Sequence, residues 1–145
     1  MRKTTAGRIL AVQALYQYDI RGKAFLKEFE DFVKQSGAGP EVAAMGEELF
    51  FNCLDRLEET DAAIAQAAQH WKLSRLAAVD RAVLRLGAYE LLFKSDLPPK
   101  VAIDEAVRLA KRFSTADSGA FVNGVLDHIM NAPRGQPAAD NGAGA

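Results

Sequence analysis

Metal-binding and redox side chains are scarce in this sequence: 145 residues include two histidines and one cysteine. His70 and His128 lie far apart, and neither has a second His or Cys at metal-ligand spacing, so no donor set for a zinc cluster is in view. Cys53 alone can form no intramolecular disulfide; it stands within an apolar helical stripe and reads as a buried structural thiol. No apolar run approaches the roughly 18 residues of a membrane-spanning helix. The start, "MRKTTAGRIL", lacks the apolar stretch and small-residue cleavage pattern of a secretory signal, so a cytoplasmic location is expected. Also absent are a GxxxxGK[ST] phosphate loop, a GxGxxG turn after a strand and a GxSxG nucleophile elbow. The carboxylates are spread along exposed helix faces and announce no pocket for acid–base work, so no cofactor is expected and catalysis is disfavoured.

What is present suits a soluble globular chain: 49% of residues are hydrophobic and 26% charged, enough to bury a core. A net charge of -1 conceals an uneven layout. Residues 1–18 carry Arg2, Lys3 and Arg8 with no acid, whereas 41–61 carry Glu41, Glu47, Glu48, Asp55, Glu58, Glu59 and Asp61 against Arg56 alone. Such asymmetry is compatible with one face meeting a polyanion and another meeting solvent or a basic partner.

Apolar spacing predicts helices throughout and an all-α fold. From Thr5 to about Arg21 the residues Ile9, Leu10, Val12, Leu15, Tyr16 and Tyr18 cover most of a helix's circumference, which predicts a central helix. Phe25, Leu26, Phe29, Phe32 and Val33 predict a second, ended by "SGAGP". Pro40 suits the first position of a third, striped by Val42, Met45, Leu49, Phe50, Cys53, Leu54 and Leu57. Thr60 is a candidate N-cap for a short fourth helix reaching Trp71. A long core helix is expected from about Arg75 to Phe93, then a stop at "SDLPP" and a helix burying Ile103, Ala106, Val107, Ala110 and Phe113. The tail from about Asn131, rich in Gly, Pro, Ala and Asn, offers little to bury and is expected to be disordered. The organisation expected is a single helical domain over 1–130, with abutting subdomains at about 1–72 and 73–130, and a tail over 131–145.

In "DSGAFVNGVLDHIM", residues 117–130, two signals conflict. Asn123-Gly124 favours a tight hairpin, yet Phe121, Val122, Val125, Leu126 and Ile129 keep helical spacing. Five residues in phase outweigh one dipeptide, and a last helix is predicted. Ser114 and Asp117 offer a capping box or rival caps before it, and Gly124 suggests close approach of a neighbouring helix.

The chemistry that remains is basic and aromatic. Arg108, Lys111 and Arg112 share one helix face and Lys100 lies just before that helix, while Asp104, four residues before Arg108, is placed to pair with it. Lys and Arg supply sequence-independent affinity for phosphates, and exposed aromatics stack on unpaired bases. By the same spacing, Phe121 and Tyr16 stand in apolar stripes, where burial is the default.

The stretch "VDRAVLRLGAYELLFKSDLPPKVAIDEAVRLAKRFSTADSGAFVNGVLDHI", residues 79–129, closely resembles the C-terminal half of the NusB family of transcription antitermination factors. Upstream, "AVQALYQYD" at 11–19 is similar to that family's first helix. The resemblance implies about seven helices in two subdomains and no catalytic activity. It implies binding to the boxA segment of nascent ribosomal RNA together with the small-subunit ribosomal protein NusE, and help in loading an antitermination complex on RNA polymerase. By position it points to Arg2, Lys3, Arg8, Lys100, Lys111, Phe121 and Asn123 for RNA, and to Tyr16, Asp80 and Asp117 for the partner, where acids suit a basic ribosomal protein. It leaves open a homodimer of the free chain through the surface that NusE would cover.

Two departures bear on strength of binding. The family's dense N-terminal arginine run is thinned here to "MRKTTAGR", and Asp104 stands where an Asn is frequent. Fewer phosphate contacts mean a smaller counterion-release contribution, so weak RNA binding alone and strengthening by NusE are expected. The competing readings are a helical interaction module without sequence-specific RNA binding and a small hydrolase or transferase. A version of the former attached to an rRNA methyltransferase is disfavoured because no such domain follows in these 145 residues.

Overall fold

The computed structural model describes residues 1–68 and 72–133. Among them stand seven α-helices and no strand: α1 (Lys3–Arg21), α2 (Phe29–Ser36), α3 (Pro40–Asp55), α4 (Leu57–Ala67), α5 (Ala78–Phe93), α6 (Pro99–Phe113) and α7 (Ala116–Asn131). Short 3-10 segments occupy Gly22–Glu28 and Leu73–Arg75. His70, Trp71 and the tail from Arg134, for which disorder was expected, lie outside the described residues.

The apolar stripes meet in one continuous cluster with contributions from α1 through α7. As its all-round apolar pattern predicts, α1 is central: it packs against α3 on one side and α5 on another. The deepest helix is α5, which buries almost every residue from Ala82 to Leu91 and touches α1, α3, α4, α6 and α7. Glycines permit the closest crossings. A Cβ on Gly7 would come within 2.6 Å of Met45 Sδ, and one on Gly46 within 2.7 Å of Leu10 Cδ2, so α1 and α3 approach through reciprocal gaps. A Cβ on Gly87 would meet Leu126 Cδ1 at 2.7 Å, which seats α7 on α5.

Several boundaries differ from the sequence expectations. The second helix begins only at Phe29, because Gly22, with φ of 66°, turns the chain into a 3-10 segment. Phe25 on that segment still reaches the core and meets Phe32 and Phe50 edge-on. Thr60 is no N-cap: α4 starts at Leu57, and the fully buried Thr60 hydroxyl donates to the Leu57 carbonyl at 3.2 Å. The predicted long fifth helix loses its first residues to the 3-10 turn at Leu73–Arg75. At α7 the cap is Thr115, whose hydroxyl accepts from the Ser118 N–H at 3.0 Å, rather than Ser114 or Asp117.

The Asn-Gly pair does lie inside a helix, but the reason inferred for Gly124 fails. Nothing stands within 4 Å of where its Cβ would be, and the residue is exposed. The close approach occurs at Gly119 instead, where a Cβ would meet Lys111 Cγ at 2.8 Å. Gly124→Ala is therefore expected to stabilise the chain by about 0.5–1 kcal/mol, since it removes backbone freedom from the unfolded state and meets no obstacle. A rise in denaturant midpoint at unchanged m-value checks this; a fall would mean that the glycine serves packing after all.

Candidate nucleic-acid and partner interface

Helix α6 is sharply two-faced. Ala102, Ile103, Glu105, Ala106, Leu109 and Ala110 turn inward, while Lys100, Asp104, Arg108, Lys111 and Arg112 are exposed. Lys100, Asp104, Arg108 and Lys111 to Arg112 follow one another at helical spacing, so they form a row along the outer face. Lys100 and Lys111 stand about 16 Å apart at 1.5 Å per residue. The expected Asp104–Arg108 pair is not formed. Among the described residues Lys100, Arg108, Lys111 and Arg112 enter no ion pair, which leaves the row's cations available to an anion.

The start of α1 is tied to the inward side of the same helix. Thr5 Oγ1 donates to Glu105 Oε1 at 3.0 Å, which anchors the first turn of α1 against the middle of α6. Arg2 and Lys3, three and two residues before that anchor point, are both exposed. Lys3 pairs with Glu41 of α3, and both side chains are well exposed, so this contact contributes little to stability. On the other flank, the Lys111 stem lies over Gly119 of α7. Asn123, one turn further along α7, is exposed, and Phe121 is half-buried against the apolar cluster.

Arg8 departs from the expected phosphate contact. Its side chain is 6% exposed; Nε donates to both carboxylate oxygens of Glu90 at 3.1 Å, and a guanidinium nitrogen lies 3.6 Å from Glu105 Oε1. A buried charge persists only where it is paired, and α5 and α6 each supply a carboxylate for it. Burial raises the Glu90 carboxyl above its usual range, and Arg8 offsets this only in part. Arg8 is consequently a brace between α1, α5 and α6.

The partner residues also divide. Tyr16 is half-buried and lines a surface cavity of about 450 Å³ together with Gln13, Gln17, Phe32, Val79 and Phe113. Asp117 is exposed in the first turn of α7. Asp80, expected to present its charge to a basic partner, is instead buried and accepts from the Ser118 hydroxyl at 3.1 Å. Its carboxylate faces α7 because position 80 falls on the inward side of the first turn of α5.

Sequence reasoning gave no role to a second ionic network. Asp19 accepts from Arg81 at 2.6 Å and from Arg85 at 2.9 Å, and Arg85 also binds both oxygens of Asp61 at 2.9 and 3.0 Å. Arg81 reaches three carbonyls, those of Leu73, Ser74 and Leu76. Burial pushes the Asp19 carboxyl up, but the two arginines more than compensate and hold it below the usual carboxylate range. The spacing of Arg81 and Arg85 was a usable signal, since it puts both on one helix face; their acid partners are distant in sequence. Among the described residues no group of three His, Cys, Asp or Glu is placed to hold a metal ion, and no helix is long and apolar enough to cross a membrane.

The NusB family model matches residues 5–131. The chain belongs to the NusB family. It is 42% identical over 141 residues to the transcription antitermination protein NusB of Symbiobacterium thermophilum, covering 92% of each chain. To the protein of that name from Geobacter sulfurreducens it is 40% identical, covering 86% of this chain and 91% of the relative. Among solved structures, T. maritima NusB superposes with a TM-score of 0.78 at 34% identity, covering 90% of this chain and 91% of that one. A crystal structure of antitermination factors NusB and NusE in complex with dsRNA gives 0.80 at 30% identity, covering 92% and 99%. NusB membership and the all-α architecture agree with the resemblance carried by residues 79–129 and 11–19.

Proposed function

We propose that this chain is a transcription antitermination factor that binds the boxA segment of nascent ribosomal RNA together with NusE and helps load the antitermination complex on RNA polymerase in the cytoplasm. Its role is recognition rather than catalysis, in keeping with the antitermination proteins it resembles over most of its length. The observation that carries the reading is the row of cations on α6, unpaired among the described residues, with the Lys111 stem lying against the α7 helix that exposes Asn123. A family neighbour solved with NusE and dsRNA supports it. Arg2, Lys3, Lys100 and Lys111 act on phosphates, while Phe121 and Asn123 meet the bases. Arg8 serves by holding the first turn of α1 in place.

NusE occupies the groove at Tyr16, where an apolar wall of Phe32, Val79 and Phe113 is edged by Gln13 and Gln17. Exposed Asp117 adds a charge suited to a basic ribosomal protein. A homodimer of the free chain would use the same groove, so NusE is expected to compete with it.

A mobility-shift titration with boxA RNA and a scrambled control, with and without NusE, tests the whole reading. Selective binding of boxA with NusE present is expected; equal, weak binding of both RNAs would overturn it. Within that assay, Lys111→Ala should weaken every RNA to a similar degree and reduce the slope of log K against log salt by about 0.7–0.9, the share of one phosphate. A loss confined to boxA would contradict a phosphate role.

A further inference from the structure

We propose that Ser118 is a positioning residue that couples the partner groove to the RNA-facing edge of α7, an inference that rests on the function proposed above. Ser118 is the third residue of α7 and the centre of a hydroxyl cluster. Its Oγ lies 3.1 Å from Asp80 Oδ2, 2.9 Å from Ser114 Oγ and 3.2 Å from Thr115 Oγ1. A hydroxyl has one proton and a carboxylate only accepts, so the Ser118 proton goes to Asp80. The hydroxyls of Ser114 and Thr115 then donate into the lone pairs of Ser118. Donor capacity at Ser118 is thereby exhausted, and Asp80 Oδ1 is left buried without a hydrogen-bond partner among the described residues. Among the described residues the carboxylate is tied to α7 through this one hydroxyl.

The relay touches both sites. Val79 and Phe113, in the groove wall, are the chain neighbours of Asp80 and Ser114. Phe121 and Asn123 follow Ser118 within about a turn and a half of α7. A partner seated in the groove bears on Val79 and Phe113 and so on both ends of the hydroxyl chain, whose geometry sets how α7 begins. Thermodynamic linkage then requires that NusE and RNA strengthen each other by the same factor.

The test measures RNA affinity of the full chain for a boxA oligonucleotide, alone and with saturating NusE, in wild type, Ser118→Ala and Ser118→Thr. Ser118→Ala is expected to lower the strengthening by NusE about fivefold or more while affinity for RNA alone stays within about twofold; Ser118→Thr, which retains the hydroxyl, keeps the factor. A merely structural role would weaken RNA binding with and without NusE alike and leave the factor unchanged, which would overturn the relay. Equal loss in the alanine and threonine variants would also overturn it. If Ser118→Ala does not fold, Ser114→Ala removes one donor into the same hydroxyl and should lower the factor in the same direction; no change there counts against the relay. A wild-type chain that binds RNA equally with and without NusE would overturn the coupling together with the function beneath it, whereas coupling equal in wild type and Ser118→Ala would overturn the relay alone.

Discussion

Arg8→Met should destabilise the chain by about 3–5 kcal/mol, the range for removing one partner of a buried ion pair. Arg8 is shared by Glu90 and Glu105, whose side chains are 2% and 8% exposed. Methionine fills part of the space but leaves two carboxylates with no cation between them. Without the guanidinium, Glu90, already raised by burial, holds its proton more tightly still. The sign of the pH dependence follows. Above its ordinary value near 4.5 the unfolded chain releases this proton while the folded variant keeps it, so variant stability falls as pH rises through that window. The deficit against wild type should be largest near neutral pH and shrink on acidification toward pH 5. Urea denaturation at several pH values checks this. A deficit below about 1 kcal/mol, paired with a reduced salt slope for RNA, would restore Arg8 to the phosphate role.

Phe50→Ala is expected to cost about 3–5 kcal/mol, the usual range for emptying a buried aromatic site. Phe50 is fully buried and stacks on Phe29 with ring centroids 5.0 Å apart. Phe25 meets it edge-on at 5.9 Å and Tyr18 at 6.2 Å. The 3-10 segment and α2 are both short and rest on this ring, so few other contacts can collapse into the vacated space. A calorimetric or denaturant measurement showing less than about 1 kcal/mol of loss would mean that the segment repacks. Because Phe25 also contacts Phe32, which lines the groove, weaker partner docking should accompany the loss.

The two predictions touch opposite ends of what was readable. Phe50 was already in the predicted apolar stripe of the third helix, and its burial required only that stripes meet. Arg8 looked like part of a basic arm because its sequence neighbours are Arg2 and Lys3. Its actual partner Glu90 is 82 residues away, on a different helix. Asp80 departs from expectation for a related reason: the resemblance assigned it to the partner surface by position alone, and the Ser118 hydroxyl that receives it lies on α7. Lys111 and Asn123 are exposed where their helical phase put them, and Lys100, expected just before its helix, is exposed in the first turn of α6. The glycine error has the same origin. Gly119 and Gly124 share a helix, and only the position of Lys111 separates the crowded one from the open one.

By itself the sequence determined the helices, their inward stripes, the exposed cations of α6 and the family, because these depend on periodicity and on local order along the chain. The tertiary structure alone decided which charges are braces and which stay available to a ligand. Burial of a charged group is settled by the helix that packs across it, and spacing within one helix carries no record of that neighbour.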